Sequence, residues 1–368
     1  MEALAALEPS PFPVISLYLR LSTNQNGRAD YQQFVRKVFS ERALALPEHS
    51  PERGSFNTDV KRIQKHLETL DAKGRQAIVI FASSGSDLFE VIPLDAPIAE
   101  HSLIISPVPH LYPLARVIEN HPRYAAVMLD TNKARIFVFG GETEHEKEIV
   151  GEKTRRTSTG GWSQARYQRH ADNVHLLHIK EVVDTLDRIV REEEIQHVVV
   201  AGADVAMPIL REQLPKALAD KIVEIGPHED DEGGGFLERT MSALREKDAE
   251  TDVEKVQELM DAWKSGGLGV AGPEATLSAF QLGQVDELII TGSPDTLKPV
   301  QQLPADAAPG DVQVVTSNPG GAGDEGQLKL SDELITRAQQ TAARVRFIED
   351  ASLLADVGGV GALLRFRI

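Results

Sequence analysis

The hydrophobic pattern switches repeatedly between short apolar runs and stretches with helical spacing, which predicts an α/β fold of several layers. Residues 14–19 read as a strand, residues 30–46 as a helix, and Val60, Ile63, Leu67 and Leu70 as the buried stripe of a second helix. Strands follow at 77–82, 88–92 and 102–105, then a helix over 113–119 that runs into the breaker His121-Pro122. Strands 125–129 and 134–139 flank the turn residues Asp130-Thr131-Asn132 as in a hairpin. A long helix over 173–193 carries Leu176, Leu177, Val183, Leu186, Ile189 and Val190 on one side. Strand 198–201, helix 205–219, strand 222–225 and helix 236–264 then alternate as in a layered domain. Beyond Gly266-Gly267 come a helix over 273–282 and a strand over 287–291. Residues 292–326, rich in Pro, Gly, Ala and Asp, read as an irregular insertion. A helix over 332–342, a strand over 344–348, a short helix and the stretch 362–368 finish the chain, and no internal repeat is present. This organisation predicts three segments: an N-terminal α/β domain over 1–122, a central domain over 123–267 and a C-terminal α/β domain over 268–368.

Composition narrows the function. At 368 residues and 41% apolar content the chain is long enough for two or three cores. With 39 basic against 56 acidic side chains, its net charge of −17 repels phosphates on average. Any nucleic-acid contact must therefore rest on a local basic patch. The chain has no cysteine, which excludes disulfides, thiolate zinc sites and cysteine nucleophiles. The N-terminal residues lack the form of a signal peptide, and no apolar run approaches the ~20 residues that span a bilayer. A soluble, cytoplasmic protein is expected. Aromatic content of 5% argues against a broad stacking platform for single strands.

One segment departs from this acidic background. Residues 153–171 hold five cations, Lys153, Arg155, Arg156, Arg166 and Arg169, and no acid in nineteen positions. Gly160-Gly161 precede Trp162, Ser163 and Gln164, so a loop can carry one amide side chain among cations toward a polyanion. Glutamine has no useful pKa, so its chemistry would be positional: the amide orients a water at a carbonyl or ester carbon while glycine N–H groups stabilise the developing oxyanion. The cations would supply phosphate contacts that are salt-sensitive and blind to sequence. A solvated connection with scattered arginines is the plainer reading of the same residues.

Other candidates are weaker. Two G-x-G-x-x-G matches, at Gly267/Gly269/Gly272 and Gly321/Gly323/Gly326, lack the strand-to-helix context of a dinucleotide site. His170, His175 and His178 lie close in sequence, but zinc would need more ligands and Arg166 and Arg169 would oppose a cation, so they read as surface or RNA-facing residues. The acidic run 229–232 lacks the spaced ligands of a calcium loop. No cofactor and no metal is expected. Ser163 has no assigned base and reads as a spacer.

With its flanking segments, the basic loop resembles the archaeo-eukaryotic class I peptide-chain release factors, most closely their bacterial branch and the related Gly-x-x-Gln peptidyl-tRNA hydrolases of ribosome quality control. Those factors carry Gly-Gly-Gln at the tip of a central-domain loop; Gly160-Gly161-Trp162-Ser163-Gln164-Ala165-Arg166 is the looser form. Ile15-Ser16-Leu17-Tyr18-Leu19 is similar to the family's opening strand, Val285-Asp286-Glu287-Leu288-Ile289-Ile290 to the start of its third domain, and Gly358-Gly359-Val360-Gly361-Ala362-Leu363-Leu364-Arg365-Phe366 to its C-terminal signature. The resemblance implies a codon-facing N-terminal domain, a central ribonuclease-H-like domain and a C-terminal α/β domain resembling kink-turn RNA binders. It implies hydrolysis of the peptide-tRNA ester, with Gln164, Gly160 and Gly161 as catalytic positions and the five cations as RNA contacts. The ribosome and peptidyl-tRNA are then the partners, with a protein bound by the C-terminal domain and neither membrane nor DNA. Two residues separate Gly161 from Gln164, and neither the Asn-Ile-Lys-Ser motif nor the cysteine-containing decoding motif occurs, which turns the expectation toward ribosome rescue. A non-catalytic ribosome- or tRNA-binding factor is the alternative, and a ribonuclease ranks third.

Overall fold

The computed structural model describes residues 1–21, 30–70, 75–130, 132–139, 145–150, 163–225, 234–300, 303, 312–317 and 324–368, with backbone alone for 145–148, 150, 163–172, 224–225 and 234–238. In chain order the elements are α1 (Glu2–Ala5), β1 (Val14–Arg20), α2 (Tyr31–Ala45), α3 (Pro51–Glu68), β2 (Ala77–Ser83), β3 (Leu88–Leu94), β4 (Ser102–Ser106) and α4 (Tyr112–Asn120). Next come β5 (Tyr124–Leu129), β6 (Lys133–Phe139), β7 (His145–Val150), α5 (Ser163–Glu192), β8 (His197–Gly202), α6 (Ala206–Gln213), α7 (Lys216–Ala219), β9 (Ile222–Ile225) and α8 (Gly234–Lys264). The chain ends with β10 (Gly269–Ala271), α9 (Pro273–Gln281), β11 (Val285–Thr291), β12 (Gln313–Thr316), α10 (Glu325–Gln340), β13 (Arg344–Ile348) and β14 (Val360–Leu364).

Two compact units result: residues 1–120 together with 252–368, and residues 121–251. Three segments were expected, divided at 122/123 and 267/268; here the first boundary falls at 120/121, the second falls inside α8 at 251/252, and the two terminal segments form one unit. The terminal segments belong together because they share a hydrophobic core. Tyr18, Val79, Phe81 and Leu114 from the first 120 residues pack in one cluster with Phe280, Leu288, Leu334 and Phe347.

Strand alternation explains the layering of this unit. In β1, Ile15, Leu17 and Leu19 face a cluster made with α2 and α3, whereas Tyr18 faces the shared core. The same division separates Ile78 and Ile80 from Val79 and Phe81 in β2. The first sheet runs β12-β4-β1-β2-β3 and is antiparallel throughout. The second runs β10-β14-β11-β13, with Leu288 and Ile290 toward the shared core and Ile289 toward Val256 and Leu259 of α8.

The unit of residues 121–251 is built on a sheet of order β7-β6-β5-β8-β9, antiparallel across β7, β6 and β5 and parallel from β5 to β9. An antiparallel meander followed by crossover strands is the ribonuclease-H-like arrangement expected for the central segment. Ala125, Val127 and Leu129 face α5 and α6, while Tyr124, Ala126 and Met128 face Met241 and Leu244 of α8. Both faces are covered by helices, which accounts for the nearly continuous apolar runs of β5 and β8.

Several elements differ from the sequence expectation for identifiable reasons. The helix expected over 205–219 is two helices, because Leu214 is extended before Pro215. The insertion 292–326 is not wholly irregular: β12 pairs with β4, from Gln313 opposite Ile105 to Thr316 opposite Ser102. Helix α10 begins at Glu325, seven positions earlier than expected, because Asp324 and Gln327 form a capping box. Strands β7 and β10 and helix α1 had no counterpart in the expectation.

Candidate functional site

Helix α5 positions the candidate site. It begins at Ser163 rather than near 173, since no Gly or Pro interrupts 163–192 and Gln164, Ala165, Arg166, Gln168 and Arg169 all favour helix. Toward its C-terminal end it is anchored in the core by Ile179, Val182, Val183, Leu186, Ile189 and Val190. Toward its N-terminal end, burial stops at His178; Leu177, expected on the apolar side, is 67% exposed. From His178 back to Gln164 is fourteen positions, about 21 Å along the axis at ~1.5 Å per residue. The helix thus carries Gln164 on its first turn, three turns and more beyond its last buried anchor.

Gln164, Arg166 and Arg169 stand on this helical backbone, and their side chains lie outside the described residues. Gly160, Gly161, Lys153, Arg155 and Arg156 also lie outside the described residues, as does the acidic run 229–232. The chain enters this stretch from β7, whose Lys133–Val150 and Ala134–Ile149 pairings with β6 tie it to the sheet. The expected positions therefore share one stretch of chain between a sheet strand and a long anchored helix.

His178 is not the surface residue the sequence suggested. It is 3% exposed, and burial pushes its imidazole below the ordinary histidine pKa, partly countered by the nearby Lys133 main chain and Glu181. Its place at i−4 from Val182 on the apolar stripe was the signal available in the sequence. Among the described residues, no three His, Asp or Glu side chains gather as metal ligands. Of the glycine matches, Gly269 lies in β10 against the end of α8, and Gly272 is the N-cap residue of α9.

The comparisons with known proteins fall on these same segments. Residues 109–245 match the model of bacterial archaeo-eukaryotic release factor family 10, and residues 249–368 match that of eRF1 domain 3. These matches support the bacterial archaeo-eukaryotic release factor family for residues 109–368 of this chain. It is similar to peptide chain release factor subunit 1 of Methanocaldococcus jannaschii, 23% identical over 306 residues that cover 76% of this chain and 70% of that one. Among solved structures it is similar to the archaeal translation termination factor aRF1, with 16% identity, coverage of 99% and 96%, and a TM-score of 0.26. Ribosome-bound archaeal Pelota, solved with ABCE1, is similar at 15% identity, with coverage of 98% and 91% and a TM-score of 0.43. Within the family assignment, the first matched region takes in Gln164 and the whole of α5, and the second takes in the glycine-rich stretch 358–361.

That stretch has a physical explanation. Gly359 has φ +82°, and a Cβ on Gly361 would sit 2.8 Å from the Val270 carbonyl oxygen, so β10, β14 and α8 close on each other only without a side chain there.

Proposed function

We propose that this protein is a ribosome-associated peptidyl-tRNA hydrolase acting in ribosome rescue. The observation that carries the reading is the placement of Gln164 on the first turn of α5, with two residues between it and Gly160-Gly161, in the acid-free basic segment of a chain that matches a release-factor family. In this reading the Gln164 amide holds a water against the ester carbonyl carbon. The water oxygen bonds to that carbon, the bond to the terminal ribose oxygen breaks, and the proton passes to the departing ribose oxygen. In the same reading the main-chain N–H groups of Gly160 and Gly161 stabilise the developing oxyanion. Lys153, Arg155, Arg156, Arg166 and Arg169 hold the phosphates of the tRNA.

The three segments keep separate roles: 1–122 faces the decoding side, 123–267 carries the hydrolytic residues and 268–368 binds a protein partner. Exposed Leu268, Leu282 and Phe366 support the last of these. The main chain brings these positions near one end of β14, where Leu268 and Gln284 accept the N–H groups of Leu364 and Arg365. Among the described residues, no helix is long and apolar enough to cross a membrane.

The spacing of Gly-Gly-Trp-Ser-Gln favours a second reading, a factor that binds the ribosome without hydrolysis, because the amide is two residues farther from the glycines than in Gly-Gly-Gln. Both are tested by incubating the protein with stalled ribosomes carrying peptidyl-tRNA and measuring released peptide and tRNA integrity. Release that needs Gln164 supports the hydrolase; salt-sensitive binding without release supports the second reading; cut tRNA points to a nuclease.

A further inference from the structure

Several cations in the described part of this acidic protein are matched to carboxylates. Lys255 lies 2.8 Å from Glu258 and 3.2 Å from Glu287, Lys329 lies 2.8 Å from Glu325, and Lys247 lies 3.6 Å from Glu250. At the start of α3, Arg53 likewise lies 3.8 Å from Glu48, but the basic residues farther along that helix make no such pair. Lys61, Arg62, Lys65 and His66 form two i,i+4 pairs on one side of the helix, Lys61 with Lys65 and Arg62 with His66. Among the described residues, none of the four lies within ion-pair distance of an acid. Asp59, a turn before Arg62, is fully buried on the inner side, where the Arg62 charge still acts on its carboxyl, and Glu68, three positions after Lys65, is exposed at the helix end.

Next to this face runs β3, an edge strand of the first sheet. Its Phe89 is half-buried and meets two of these residues: the Arg62 guanidinium lies 4.5 Å from the ring centroid, and the His66 ring meets it edge-on at 6.2 Å. Stacking on an aromatic face fixes the guanidinium plane and leaves its N–H edge open to an oxyanion. Lys61 and Lys65 are exposed one turn apart beside it. Like charges at i,i+4 are unfavourable in an isolated helix, and a row of phosphates relieves that repulsion.

We propose that this face of α3, with Phe89 as the platform for Arg62, is an RNA-binding surface that grips the phosphate backbone of structured RNA. In sequence it is distinct from the basic segment 153–171. It deepens the reading given under Proposed function, on which its assignment to ribosomal RNA rests. The Phe89 platform favours RNA over an anionic membrane, because a stacked guanidinium is held in one orientation, which suits a fixed row of phosphates.

The test compares the full-length protein with a Lys61→Ala/Arg62→Ala/Lys65→Ala variant whose circular dichroism and melting temperature match the parent. The probes are bacterial ribosomes, a 24-base-pair RNA duplex and vesicles of anionic phospholipid, each titrated across a series of salt concentrations. The expected result is about tenfold weaker binding to ribosomes and duplex, with the salt slope lowered by about two to three. Arg62→Lys alone should weaken binding by about threefold, since the stacked fork is lost while the charge is kept. Equal affinity and equal slope for parent and variant overturn the proposal, as does a loss confined to vesicles or parent protein that binds neither RNA. If the duplex binds through α3 and ribosomes do not bind at all, the RNA surface stands and the ribosomal reading falls.

Discussion

Asp332, on α10, accepts the main-chain N–H of Leu111 at 3.0 Å and thereby caps helix α4 from 221 residues away in sequence. The same oxygen takes the Tyr112 N–H at 3.2 Å, and the other carboxylate oxygen bonds His110 Nδ1. His110 is held in turn by Ser16, whose hydroxyl oxygen accepts its N–H at 2.9 Å, and by Tyr18, whose hydroxyl donates to its carbonyl at 2.5 Å. Burial, reinforced by the charge of Asp332, pushes the Tyr18 phenol well above its ordinary pKa and keeps it a donor.

Asp332→Ala leaves two buried N–H groups and an imidazole without their acceptor. It is expected to destabilise the unit of residues 1–120 and 252–368 by about 3 kcal/mol or more. Asp332→Asn keeps one acceptor oxygen and should cost about half as much. Urea unfolding followed by tyrosine fluorescence checks both values, and a parent-like midpoint for the alanine variant would remove the cap from the list of stabilising contacts.

His101 makes stability depend on pH. Its Nδ1 accepts the Arg20 N–H at 3.1 Å and its Nε2 meets Asp30 at 3.1 Å, so the neutral tautomer fits its site. Burial is the largest influence and, with Arg20, lowers its pKa, only partly offset by Asp30. The folded value therefore lies below the unfolded value near 6.5. Stability from this residue is fully present above that pH and is lost as pH falls from there through the folded value. Unfolding midpoints measured between pH 7.5 and 5 should drop, and His101→Asn, whose amide oxygen can still take the Arg20 N–H, should flatten part of that slope.

Gly361→Ala places a methyl group 2.8 Å from the Val270 carbonyl oxygen and 2.6 Å from Leu259 Cδ2. Leu259 can rotate away, but the carbonyl belongs to the paired strand β10. A loss of about 2 kcal/mol is expected in thermal or chemical unfolding.

For the proposed chemistry, Gln164→Ala should lower the rate constant for peptide release by about 10²-fold with little change in ribosome affinity. Ala171→Pro interrupts α5 between Gln164 and His178 and should abolish release too. Because the anchoring residues start at His178, unfolding of the core of residues 121–251 should be nearly unchanged in that variant. Loss of the core together with release would mean that the first turns of α5 contribute to folding.

The pattern of apolar positions identified most of the strands and helices, because alternation and helical spacing are local consequences of which face is buried. It missed β7, with its sequence His-Glu-Lys-Glu-Ile-Val, because charged residues at most positions hide the period. It placed the start of α5 ten residues late, because residues 163–172 show no apolar stripe although their helix propensity is high. It read His178 as exposed for want of a partner in the sequence.

The chain alone determined the acid-free basic segment, the glycines before Gln164 and the order of α/β segments, all of which depend on neighbours within a few turns. Only the tertiary structure decided that residues 1–120 and 252–368 share a core, that a strand from the late insertion joins the first sheet, and that Asp332 caps α4. Such relationships pair residues more than two hundred positions apart, and the burial that makes a lone aspartate on an apolar helix face affordable exists only once both segments have packed.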